Sequence, residues 1–212
     1  MNQQISIDTL PKKTAKLLAT FSNTIPKFLN SFYLSGGTAL SLQLGHRESE
    51  DLDFFSQKAF NPQLIQQNLL KYGNLTQTEL AKGTVNTFLG GVKLQFLEYP
   101  YDLIKPLMKW ESIQLSSIED IACTKLQTIG MRGSKKDFID IYFLLEKYSL
   151  TDMFELMKTK YTKVDYSTIH IMKSLVYFED ADHQPMPRMH KTISWSDVKK
   201  TMIKAVKEIQ FE

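Results

Sequence analysis

The chain has 212 residues, 42% of them apolar and 23% charged, with a formal net charge of +3. That composition excludes collagen-like, low-complexity and disordered chains, and so mild a charge does not by itself point to nucleic acid. A single cysteine, Cys123, rules out an internal disulfide and a Cys-rich zinc site, and fits a reducing, cytoplasmic setting. The opening residues MNQQISIDTLPKK lack the basic start and apolar core of a signal peptide. No apolar run approaches the ~20 residues of a membrane helix.

Asp8 or Thr9 can cap a first helix, with Pro11 early in it and Leu10, Leu17, Leu18 and Phe21 on its apolar side. Phe32-Tyr33-Leu34 reads as a short strand that stops at Gly36-Gly37, and Thr38 to Leu44 continues with helical spacing. Leu52 to Phe55 is a second strand. Asn61-Pro62 is a cap followed by an N1 proline, opening a helix through Leu64, Ile65, Leu69 and Leu70. Three strands follow, Thr76–Leu80, Thr84–Leu89 and Val92–Glu98, divided by the hairpin signals Lys82-Gly83 and Gly90-Gly91. The break from Tyr99 to Pro106 sets the expected domain boundary at residue 104. Beyond it the signals are helical. Ser116 and Ser117 with Glu119 and Asp120 open a helix ending near Gly130 or Gly133. Ser134 caps another, Lys135 to Tyr148, and Thr151, Asp165 and Ser196 open three more. The fold class is therefore α/β (α+β): a mixed-sheet core with flanking helices over 1–104, then a helical region over 105–212 that completes a cleft.

Two constellations carry chemistry. In the first, a Gly-Gly turn after a strand lets backbone N–H groups approach a phosphate, and the next helix adds its N-terminal dipole. Asp51 and Asp53 stand two apart on the second strand, so both carboxylates share a face. Such a pair suits a divalent cation, and oxygen-only ligands favour Mg²⁺ or Mn²⁺. Gly36-Gly37 is the candidate phosphate-facing turn. Arg47 suits a phosphate or a carboxylate equally, and His46 suits a phosphate-facing or structural role better than a metal. In the second constellation, Lys125 borders the apolar face of its helix, while Asp137 and Asp140 share a face of the next. A buried Lys–Asp bridge between two helices accounts for them. So does a lysine that meets a triphosphate and is oriented by those carboxylates, and both readings can hold at once. Lys200, Lys204 and Lys207 form a basic stripe on the last helix, read either as a solvated face or as an RNA contact.

GGTALSLQLGHRESEDLDFF followed by KLQTIGMRGSKKDFIDIYFLL is similar to the AbiEii/AbiGii-type nucleotidyltransferase toxins of bacterial toxin–antitoxin and phage-defence systems, over roughly residues 30–147. The resemblance implies a DNA polymerase β-like nucleotidyltransferase core, an NTP substrate, Mg²⁺, transfer of NMP to the 3′ end of tRNA, and a cognate antitoxin partner. It matches Gly36, Gly37 and Thr38 to the nucleotide-binding turn, Asp51 and Asp53 to the metal pair, and Lys125, Asp137 and Asp140 to later catalytic positions. One departure stands out. A third carboxylate is expected on a later strand, and that position holds Gln95, which cannot accept a proton as a base. Glu98 has the opposite strand parity. The alternatives are a catalytically degraded nucleotide- or protein-binding module of the same fold, or a nucleotidyltransferase that modifies a protein hydroxyl.

Overall fold

The computed structural model describes residues 5–24 and 26–209. The chain divides at Ser117/Ile118 into two compact units.

The first unit opens with α1 (Lys12–Thr24), β1 (Tyr33–Ser35), α2 (Gly36–Leu44) and β2 (Leu52–Ser56), followed by α3 (Pro62–Leu69). The strands β3 (Leu75–Ala81), β4 (Thr84–Leu89) and β5 (Val92–Glu98) form two hairpins at the Gly83 and Gly90-Gly91 turns. The unit ends with β6 (Met108–Trp110) and β7 (Ile113–Leu115). Together the strands make one seven-stranded mixed sheet, in the order β3-β4-β5-β2-β1-β7-β6. β2 runs parallel to β5, and β1 parallel to β7, while the remaining neighbours are antiparallel.

β6 and β7 are strands where helical signals were read, and they carry the first unit to Ser117, past the expected boundary at 104. Three-residue strands are too short to show a period of two, so only their pairing reveals them. The sheet sorts its residues by parity. Leu52, Phe54, Val85, Leu94 and Phe96 are fully or almost fully buried on one face. There Phe54 stacks on Phe96 at 5.1 Å, and Phe21 of α1 meets Phe54 edge-on at 6.2 Å. Each such side chain contributes about 1.5–3 kcal/mol through burial. Asp53, Asn86 and Gln95 occupy the other face and are only half-buried.

α3 begins where the cap predicts. Its first two free N–H groups, on Gln63 and Leu64, donate to Asn61 Oδ1 at 2.9 and 3.2 Å. Asn61→Ala should therefore lower stability by about 1 kcal/mol in urea denaturation; an unchanged midpoint would show that the cap contributes nothing.

The second unit is helical: α4 (Ile118–Met131), α5 (Lys135–Leu145), α6 (Leu150–Lys160), α7 (Thr168–Leu175), α8 (Glu179–Asp182) and α9 (Trp195–Lys207). α6, α7 and α9 start slightly off the expected positions because Ser149, Ser167 and Ser194 are the caps, each hydroxyl accepting from the N–H three residues on. Met153, Phe154, Met157, Ile171, Met172 and Leu175 are buried in the core of this unit. On α9, Val198 and Met202 are buried while Lys200, Lys204 and Lys207 are exposed. No helix among the described residues is long and apolar enough to cross a membrane.

Candidate active site

β1 passes directly into α2 at Gly36, whose φ of +65° is the left-handed conformation that glycine accepts at little cost. Ser35 is paired with Asp53 across the β1–β2 ladder, so Gly36 lies beside the Asp53 side chain. A Cβ on Gly36 would collide with Asp53 Oδ2 and sit 3.1 Å from its Cγ. The Asp53 carboxylate thus rests against the first residue of α2, next to N–H groups that have no partner within the helix.

Asp51 departs from expectation. It precedes β2, which begins at Leu52. Its carbonyl is taken by the buried Thr38 hydroxyl, which also lies 2.9 Å from Ser49 Oγ. Thr38 therefore pins the Asp51 backbone from inside α2, and its hydroxyl is not open to a phosphate. Arg47 also differs. It is 2% exposed, its Nη1 donates to the carbonyl of Glu48 at 2.9 Å, and a Cβ on Gly37 would lie 2.7 Å from its Nη2. The guanidinium supports the glycine turn from beneath rather than facing a ligand. His46 is fully buried in the same loop. A charged side chain is read as exposed from sequence by default, so its burial here could not be foreseen.

Gln95 is the direct neighbour of Asp53 on the parallel strand β5, and Gln95 is in turn paired with Asn86 on β4. Gln95 Nε2 donates to Asn86 Oδ1 at 3.0 Å. Glu98 is paired with Ser56, on the opposite parity, and folds over the Gly83 turn. Among the described residues, no cluster of three His, Cys, Asp or Glu side chains is arranged to hold a metal. A cavity of about 300 Å³ lined by Phe21, Phe32, Phe54 and Ile113 lies on the other face of the sheet and adds nothing to this row.

In the second unit, Lys125 Nζ reaches Asp137 Oδ1 at 2.9 Å and Asp140 Oδ2 at 2.5 Å, and all three side chains are buried. Ser134, the α5 cap, donates to Asp137 Oδ2 at 2.5 Å, and the exposed Arg132 stands 3.7 Å from the same oxygen. The second expected constellation is thus brought together, as a lysine clamped by two carboxylates between α4 and α5. The sequence reading did not find a second buried pair, Lys160 and Asp120 at 2.6 Å, which ties α6 to α4. Its only signal was the position of Lys160, three residues after Met157 on the apolar face of its helix. Beside it Cys123 is fully buried, and burial pushes its thiol up to about 12. A thiol so raised stays protonated through neutral pH, and only the thiolate alkylates. Folded protein at pH 8 should resist iodoacetamide and become labelled in urea; rapid labelling of the native chain would contradict this burial.

The family model of the AbiEii nucleotidyltransferase toxins of type IV toxin–antitoxin systems matches residues 17–212, nearly the whole chain. The chain belongs to the AbiEii family. An uncharacterized protein of Aquifex aeolicus (strain VF5) is 39% identical over 185 residues, covering 84% of this chain and 88% of that protein. Among solved structures, the MenT4 nucleotidyltransferase toxin of Mycobacterium tuberculosis H37Rv aligns at a TM-score of 0.54 with 11% identity, over 94% of this chain and 87% of that one. JHP933 of Helicobacter pylori aligns at 0.52 with 18% identity, over 93% and 92%. At such identities these two alignments speak to the fold, while membership of AbiEii makes the chain a nucleotidyltransferase of a toxin family.

Proposed function

We propose that this AbiEii protein transfers a nucleoside monophosphate from an NTP to a hydroxyl of RNA, the 3′ end of tRNA being the leading acceptor, and that a cognate antitoxin holds it in check. The observation that carries the reading is the Asp53 carboxylate seated against Gly36 at the start of α2, with Asp51 pinned two residues before it. Two carboxylates without a third suit Mg²⁺ or Mn²⁺. Mg²⁺ in particular binds through one or two carboxylates and completes its shell with substrate phosphates and water. Asp51 and Asp53 would hold the ion, and when bound it supplies charge neutralisation at the triphosphate.

The chain's own part is positional. The N–H groups at the start of α2, which have no partner within the helix, favour a phosphate beside the carboxylates. Thr38 and Arg47 fix that turn from inside. The acceptor hydroxyl attacks the α-phosphorus and pyrophosphate leaves, a reaction that depends on alignment and electrostatics rather than a covalent intermediate. In the second unit, the residue carried forward is Lys125, with its amine oriented by Asp137 and Asp140.

A second reading, a nucleotide- or protein-binding module without transfer, is favoured by one observation: Gln95 stands beside Asp53 where a carboxylate would serve as base. Incubation with each α-³²P-labelled NTP, Mg²⁺ and total tRNA separates the two. Label on RNA should appear, and Asp51→Ala/Asp53→Ala should reduce it by about 10³-fold or more. NTP binding without label on RNA would support the second reading, and label on protein would move the acceptor to a protein hydroxyl.

A further inference from the structure

The face of the sheet that carries Asp53 bears a continuous polar row. Glu79 on β3 is paired with Asn86, Asn86 with Gln95, Gln95 with Asp53, and Asp53 with Ser35. Ser116, just past β7, closes the row with its hydroxyl 2.8 Å from Ser35 Oγ. The only acidic residues in it are Asp53 and Glu79. Neighbouring strands are ~4.8 Å apart, so Glu79 stands three spacings, about 14 Å, from Asp53 and cannot share a cation with it. The two residues between them are amides. They are joined by the one hydrogen bond from Gln95 Nε2 to Asn86 Oδ1. With its nitrogen engaged by Asn86 on β4, the Gln95 amide keeps its oxygen as a free-standing acceptor on the strand that neighbours β2.

We propose that Asn86 and Gln95 form a positioning pair that keeps the third place of this row neutral and turns the Gln95 oxygen toward Asp53, so that the site takes a divalent cation only together with a triphosphate. This rests on the nucleotidyltransferase reading of Asp51 and Asp53. The physical ground is charge count. The affinity of oxygen-ligand sites for divalent cations rises with the number of carboxylates. Two carboxylates and an amide hold the ion weakly until phosphate oxygens add theirs. The amide oxygen is an acceptor that can face a cation, whereas the amide nitrogen, a donor, cannot. Asn86 makes that choice.

Mn²⁺ binding to the full chain, read by the electron paramagnetic resonance of the free ion, tests this without any acceptor. Titrations are run with and without a non-hydrolysable NTP analogue. For the native sequence, the analogue should tighten Mn²⁺ binding at least about tenfold. Gln95→Glu should tighten binding of Mn²⁺ alone by a similar factor, and Gln95→Asp serves if that variant does not fold. Asn86→Leu, which frees the amide to turn, should weaken Mn²⁺ binding in the presence of the analogue several-fold. Asn86→Asp still accepts from Gln95 Nε2 and should keep it. If neither acidic variant at position 95 tightens Mn²⁺ alone, or if Asn86→Leu binds as the native chain does, the proposal is overturned. The underlying reading has its own control. If Asp51→Asn/Asp53→Asn leaves the analogue-dependent binding intact, the carboxylate pair is not the site at all.

Discussion

Lys125→Met is expected to destabilise the second unit by about 3–5 kcal/mol, the usual cost of removing one partner from a buried ionic cluster. The amine is the counter-charge for Asp137 and Asp140, which are 2% and 0% exposed. Without it, the two carboxylates would share a dry space between α4 and α5. Arg132, 3.7 Å from Asp137 and largely in solvent, compensates little. The measurement is urea denaturation of the purified chain, followed by helical circular dichroism. The triple variant Lys125→Met/Asp137→Asn/Asp140→Asn removes all three charges together and should recover most of the loss, since replacing a whole buried cluster is often near neutral. A single variant as stable as the native chain would refute the clamp. The triple variant then isolates chemistry from folding. If it is stable and still labels RNA, the amine serves helix pairing alone. If it is stable and inactive, Lys125 takes part in the reaction.

That ambiguity shows what the sequence could and could not carry. The i, i+3 spacing of Asp137 and Asp140 and the position of Lys125 beside Ile121 and Ala122 were enough to expect the three to meet. Distances of 2.9 and 2.5 Å were needed to show one amine gripped by both carboxylates. The hairpins β3-β4 and β4-β5 were legible because glycine turns divide runs of clear alternation. β6 and β7 were not, because three residues carry no period and their order depends on pairing with a strand some eighty residues earlier. At the candidate site, the Gly-Gly turn and the two aspartates were read as a unit, and Gln95 was found where the family resemblance expects a third carboxylate, with Glu98 set aside by parity. Burial was the missing dimension. Thr38 was read as a ligand contact from the family resemblance and Arg47 from its chemistry. The fold turns both inward, one to hold the Asp51 carbonyl and the other to fill the space beneath Gly37. Asn86 went unnoticed because an asparagine in a strand has no signature until its cross-strand partner is known.

Gly36→Ala should reduce nucleotidyl transfer by about 100-fold, the cost of an error near 1 Å in the placement of reacting groups. Two effects act together. The backbone at φ +65° disfavours any side chain, at roughly 1–2 kcal/mol. The new methyl group would also occupy the space of Asp53 Oδ2. The strand cannot yield, since Asp53 is held in register by both Ser35 and Gln95, so the carboxylate must rotate away from the start of α2. Gly37→Ala provides the comparison. Gly37 has no positive φ, and its added methyl would meet the end of the Arg47 side chain at 2.7 Å rather than a carboxylate. It should cost stability in a thermal melt while sparing the geometry of Asp53, and hence retain more activity than Gly36→Ala in protein that is still folded. Equal activity losses at the two glycines, matched by equal losses of stability, would mean that the turn is needed only for folding. A folded Gly36→Ala protein that labels RNA at the native rate would separate the Asp53 carboxylate from the chemistry altogether.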